Sequence, residues 1–317
     1  MKRFAFVVLG MLLVAGIADA RTSTSAMGDG TEYQAMIGLD GRNEVPFVDT
    51  PPVIDGVMDA GEWDGVWYTF FGPSTLAQWA EQVGYKKNEP GQVVADGLVS
   101  QLKAHEGEDA AEGATDADCF TNTWQCWDED YIYIAVDVID NVYDVSGSQD
   151  GGYWERDGFF HEIDFLESPS VADAGGNLTA LAFSAIAMEE QRYSITAWAA
   201  GIEGTPTIFY GDAPDDFQGT AHAFSLTDEG HIIETRSSWA FMARYLDNFQ
   251  PYDGWEFGNS YHMLDPDGGE GYGGQFQYGR DGDAGNVQGW ATFILTGGPG
   301  AATAVESTTW GAVKASW

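Results

Sequence analysis

Basic residues are the first thing this chain is short of. Its 317 residues hold 13 Lys and Arg against 50 Asp and Glu, a formal charge of −37. Nucleic-acid binding draws most of its affinity from Lys and Arg that displace counterions at phosphates, and anionic membrane surfaces attract the same side chains. Both partner classes are excluded. Cysteine is nearly absent, with Cys119 and Cys126 alone, and the five histidines (His105, His161, His222, His231, His262) include no pair at helical ligand spacing. That removes the common zinc patterns, and no Cys-x-x-Cys-His marks a c-type haem. After the run Phe4 to Ile17 there is no second long apolar stretch, and that run falls short of the roughly 20 residues of a membrane span, so no membrane insertion is expected.

What is present is a core in the making. Hydrophobic residues at 44% and aromatics at 14% exclude a disordered acidic tail, and 41 Gly point to many turns rather than long helices. Lys2 and Arg3 precede the Phe4 to Ile17 run, and Ala18-Asp19-Ala20 is a small-x-small cleavage pattern. Residues 1–20 therefore read as a bacterial-type secretory signal peptide, cleaved near Ala20, with a secreted or periplasmic destination. Cys119 and Cys126 stay open between a structural disulfide, two buried thiols and a metal or redox pair. On one extended strand they would be too far apart to bridge, so a disulfide requires a turn between them.

Residues 21–50 read as an irregular leader and 51–298 as one β-sandwich domain, with an acidic inserted loop region at 87–118. Leu76, Trp79 and Val83 recur at helical steps within Ser74 to Lys86, and a second short helix is expected at Leu98 to His105. From there the period is two. In Tyr131 to Asp140, Ile132, Ile134, Val136 and Val138 share one face; in Phe159 to Leu166, Phe159, Ile163 and Phe165 do. Further strands are expected at Leu178–Met188, Arg192–Ala199, Thr207–Tyr210, Ala221–Leu226, His231–Ser237, Gly254–Met263, Gln275–Tyr278 and Gly289–Leu295. Short strands broken by Gly and Asp turns predict an all-β antiparallel sandwich. Ser238 to Leu246 interrupts as a short helix with Ser237 or Ser238 as N-cap. In the tail, 299–317, Trp310, Val313 and Trp317 form a helical stripe that docks on the domain or engages a partner, self-assembly included.

Four segments in order resemble the family 9 carbohydrate-binding modules, within the DOMON-like group of sandwiches. Pro52-Val53-Ile54-Asp55-Gly56 with Trp63 is similar to the family's opening P-V-I-D-G…W. Trp127-Asp128-Glu129-Asp130-Tyr131-Ile132-Tyr133 running to Asp140 resembles W-D-(D/E)-x-Y-L-Y…V-x-D. Trp154-Glu155-Arg156-Asp157, with Asp164 seven residues on, resembles W-E-x-D-S-V-E-I-F-I-D, and Trp290 to Leu295 is similar to the closing strand. The resemblance implies a non-catalytic module, structural calcium, and a sugar ring stacked between two aromatic side chains, with Trp154 at the first position and Tyr278 at the second. The polar ring departs from the pattern: Phe160 stands where the family has Glu, Ser184 where it has Arg, and His262 where it has Gln. Glu162, Asp157 and His262 are then the candidate polar partners of a saccharide.

For calcium, Asp265, Asp267 and Glu270 crowd one Gly- and Pro-containing turn, and Asp281-Gly282-Asp283 is half of such a loop; oxygen-rich flexible loops suit this ion. Solvated acidic turns are the alternative. Glu162 and Asp164, two apart on one strand face, have a spacing of roughly 7 Å that could also serve glycoside hydrolysis. Haem, which some DOMON-like domains carry, is disfavoured because the adjacent His262 and Met263 point to opposite faces of a strand. The leading expectation is a secreted, calcium-stabilised carbohydrate-binding sandwich. Its rival is an extracellular structural or assembly protein on the same fold without a sugar site.

Overall fold

Alternating side chains settle the architecture. In the computed structural model Tyr131–Asp140 forms a ten-residue strand whose Ile132, Ile134, Val136 and Val138 are buried in the main core. The structure describes residues 43–72, 92–95, 98–102, 115–117, 119–143, 157–165, 178–184, 195–199, 209–211, 218–243, 246, 249–265, 274–278 and 291–300; for 92–95, 98–102, 178–180, 182, 184, 195–199, 209–211, 274–278 and 291 only the backbone is considered.

Among the described residues fifteen strands run in chain order: β1 (Asn43–Pro46), β2 (Trp67–Phe71), β3 (Gln92–Ala95), β4 (Leu98–Leu102), β5 (Cys119–Trp127), β6 (Tyr131–Asp140), β7 (Gly158–Asp164), β8 (Leu178–Ser184), β9 (Ile195–Ala199), β10 (Phe209–Gly211), β11 (Ala221–Leu226), β12 (Gly230–Ser238), β13 (Glu256–Leu264), β14 (Gly274–Tyr278) and β15 (Ala291–Thr296). The described residues add one short helix, α1 (Trp239–Met242), capped by Ser238, whose Oγ accepts from Phe241 N. No helix among them is long and apolar enough to cross a membrane.

The strands make two sheets. The smaller has the order β11-β12-β6-β5-β2; the larger runs β10-β9-β8-β7-β13-β14-β4-β3. One edge of β13 is shared, since Glu256–Asn259 pair with β15 and Tyr261–Leu264 with β14. β1 lies parallel to β15 and closes that side. Between the sheets Ile132, Ile134, Val136, Val138, Phe159, Phe183, Tyr261 and Phe293 belong to one buried cluster, each large side chain contributing about 1.5–3 kcal/mol of burial. A second cluster covers the outer face of the smaller sheet, where Trp63 and Val66 pack on Cys126, Tyr133 and Ala135. Glu234 on β12 ties this cover down: its carboxylate accepts from the amides of Asp55 and Gly56 at 3.2 and 2.8 Å and from Trp63 Nε1 at 3.0 Å.

The sandwich is therefore as the alternation predicts, with three corrections. The leader is not irregular throughout, because Asn43–Pro46 pairs with β15. The inserted region contains the antiparallel hairpin β3–β4, and Leu98–Leu102 is strand where a short helix was expected. Cys119 and Cys126 stand on the single strand β5, with no turn between them. Their odd separation sends them to opposite faces, Cys119 into the inter-sheet core and Cys126 into the outer cluster, so no disulfide joins them. Burial pushes the Cys126 thiol far up, with Asp128 adding to the effect, which removes it from thiolate chemistry. Ser74 to Lys86 and the tail 301–317 lie outside the described residues.

Candidate functional site

β7 and β13 sit at the centre of the larger sheet, and their described residues are almost wholly buried on both faces. Phe159, His161 and Ile163 point to the other sheet, opposite in register to Met263, Tyr261 and Asn259. Phe160, Glu162 and Asp164 share the outer face with Ser260 and His262.

On the inner face His161 Nε2 donates to Asn259 Oδ1 at 2.6 Å, and Tyr261 donates its phenol to Gln125 Oε1 at 2.8 Å, joining the two sheets. Burial lowers the His161 pKa to about 4, the bond to Asn259 opposing it, so the ring is neutral at physiological pH. This is the core histidine that its place beside Phe159 and Ile163 predicts. On the outer face His262 Nε2 lies 3.0 Å from Glu162 Oε2, a diagonal pair across β7 and β13, with Ser260 Oγ at 3.4 Å from the same nitrogen. Phe160 meets the imidazole edge-on at 5.2 Å. The Phe that stands where the family pattern has Glu thus packs on the His that stands where it has Gln.

Glu162 and His262, read independently as polar partners, are brought into contact, and both are fully buried. Asp157 is not with them. It precedes β7 and meets Asp140, the last residue of the second motif, and His231, neither of which the sequence marks as a ligand. Glu162 and Asp164, the pair weighed for hydrolysis, share an outer face but are both buried. Trp154 lies outside the described residues. Tyr278 ends β14 opposite Tyr261, while Gln277 stands opposite His262, so the register assigns position 277 to the face of Glu162. Of the calcium set only Asp265 is described, buried just past β13; Asp267, Glu270, Asp281 and Asp283 lie outside.

Trp127 is structural: fully buried at the end of β5, it donates from Nε1 to the Thr296 carbonyl at 3.3 Å. Asp128 closes the β5–β6 turn, accepting from the amides of Asp130 and Tyr131 and, at 2.6 Å, from the Tyr133 phenol.

The sequence matches no known family model, and no curated protein matches it. Among solved structures the fold is similar to a family 9 carbohydrate-binding module from Caldicellulosiruptor kristjanssonii in complex with cellotriose, at 13% identity and a TM-score of 0.47, with 83% of this chain and 97% of that chain covered. It is also similar to a family 9 module from that organism in complex with glucose, at 14% identity and a TM-score of 0.42, covering 83% and 99%. These are likenesses of fold.

Proposed function

We propose that the chain is an exported, non-catalytic carbohydrate-binding module in which Trp154 and Tyr278 stack on a sugar ring. The observation that carries the reading is the meeting of Glu162 and His262 on one face of β7 and β13. The β7 that delivers Glu162 begins shortly after Trp154, and β14, which ends in Tyr278, is the next strand beyond β13. β7, β13 and β14 are thus neighbouring strands of one sheet, with Gln277 on the face of Glu162 and His262 and Tyr278 on the face of Tyr261. A pyranose offers a C–H face for a ring and hydroxyls that need planar polar partners, which is the composition of this set. The pair, itself fully buried, would support such a site from beneath without touching the sugar. Structural calcium, held by Asp265 with Asp267, Glu270, Asp281 and Asp283, belongs to the same proposal; the crowding of carboxylates in these Gly-containing stretches supports it.

Folded protein titrated with soluble glucan, xylan and small saccharides should change its tryptophan fluorescence, and Trp154→Ala should lose at least about 2 kcal/mol of affinity, roughly 30-fold. A blank glycan array with natively folded protein rejects the reading. One observation favours a second one: Asp157, Glu162 and His262 are all inaccessible, as expected of an extracellular assembly protein that keeps the sandwich and lacks a sugar site. That alternative predicts oligomers or fibres lost on deletion of 302–317, and a strict monomer at high concentration rules it out.

A further inference from the structure

At one end of the sandwich the space between the sheets is polar. Asp140 is the last residue of β6 and shares the inward face of Val136 and Val138; His231, on β12, stands opposite Val138. From the larger sheet Asp157 precedes β7 on the side of Phe159. One oxygen of each Asp and one nitrogen of His231 all lie within 4.8 Å of one another, and all three residues are buried. The Asp140 Oδ1 is held by the amide of Val142 at 2.7 Å, which turns Oδ2 toward His231 Nδ1 at 3.5 Å. Neither ring nitrogen of His231 makes a hydrogen bond, although the residue is 1% exposed. Asp265 follows Leu264, the partner of Gly158, and so comes to the same end of the sheet as Asp157.

A buried imidazole without a hydrogen bond is costly, and two buried carboxylates at this range repel unless positive charge lies between them. A divalent cation removes both costs at once. The imidazole decides which kind: calcium and magnesium take oxygen ligands, whereas nitrogen beside carboxylates suits zinc and its first-row neighbours. We propose that Asp140, Asp157 and His231 bind a divalent transition metal of the zinc type, which clamps the two sheets where the chain passes from β6 to β7. Asp265, counted above with the calcium turn, adjoins this site through the Leu264–Gly158 pairing, and the imidazole is what distinguishes the ion proposed here. Its ligands Asp140 and Asp157 flank residues 141–156 in sequence, so a bound ion would hold positions 140 and 157 together in the folded protein.

The test uses the full chain stripped with a chelator and dialysed. Zn²⁺ is titrated against a chromophoric zinc indicator, Co²⁺ is followed by its visible d–d absorption, and melting temperature is read at rising zinc. One equivalent of zinc is expected, with cobalt absorption of the nitrogen–oxygen kind, no thiolate charge-transfer band, and a rise of several degrees that grows with zinc concentration. Changes in the outer shell of metal sites already cost 10–100-fold, so His231→Gln should lower zinc affinity at least about 100-fold while leaving any calcium response intact. Should that variant fail to fold, Asp157→Asn and the wild-type titration decide. Absence of stoichiometric zinc, displacement of cobalt by equimolar calcium, or an unchanged cobalt spectrum in the folded His231→Gln protein each overturns the proposal.

Discussion

The neutral imidazole of His161 has a measurable consequence at acid pH. Its folded pKa is depressed from 6.5 to about 4 by burial, whereas in the unfolded chain the ring takes a proton near its ordinary value. Between those values the unfolded state binds more protons, so stability is fully present above pH 6.5, declines as pH falls, and levels off below about 4. A shift of this size corresponds to about 3 kcal/mol. Glu234 and Asp137 act with the opposite sign: burial raises both, so their contribution fades as pH rises through the folded value. Comparing wild type with His161→Gln cancels them. The Gln amide can still donate to Asn259, and urea denaturation from about pH 7 to about pH 4 should show a shallower loss for the variant. Parallel curves would mean that His161 titrates normally in the folded protein.

At the level of elements, what can be read from the sequence depends on how cleanly a strand separates its faces. β6 and β11 are readable to the residue because β6 alternates and β11 is bounded by turn residues. β5 is not, since its inward positions Thr121, Thr123 and Gln125 are polar yet wholly buried, and nothing in such a strand alternates in hydropathy. β3 and β4 did carry a signal: Asp96-Gly97 between Val94-Ala95 and Leu98-Val99 is the two-residue hairpin pattern, obscured by the acidic composition around it. The site divides in the same way. Glu162 follows from the strand period, whereas Asp140, Asp157 and His231 come from three elements and converge only after both sheets have formed. The cover of the smaller sheet depends on one such remote contact. Glu234→Ala would leave three donors, from Asp55, Gly56 and Trp63, without their acceptor. Each buried unmet donor costs about 1–3 kcal/mol, partly relieved here by water entry, so a loss of about 3 kcal/mol is expected. Proteolysis should then cut within 51–66 before the sheets unfold, and resistance of that segment in the variant would show that the cover holds through its apolar contacts alone.

Across the whole molecule the strongest long-range force comes from a formal charge of −37 on a sandwich whose core is ordinary in kind. Mutual repulsion of surface carboxylates opposes the compact state, and it is screened over about 10 Å at 0.1 M salt and about 3 Å at 1 M. Sodium chloride should therefore raise the melting temperature steadily from about 10 mM to about 1 M. Calcium bound by the turns at 265–270 and 281–283 would act differently, because specific ligation saturates whereas screening does not. At fixed ionic strength, millimolar Ca²⁺ added to chelator-stripped protein should raise the melting temperature by several degrees to a plateau, with Asp265→Asn reducing the plateau. Magnesium, which demands a tighter octahedron and gives up water reluctantly, should do less at the same concentration. If sodium at matched ionic strength reproduces the entire calcium effect, the acidic turns are solvated surface, and the folded state is held against its own charge by the two sheets and the ends that join them.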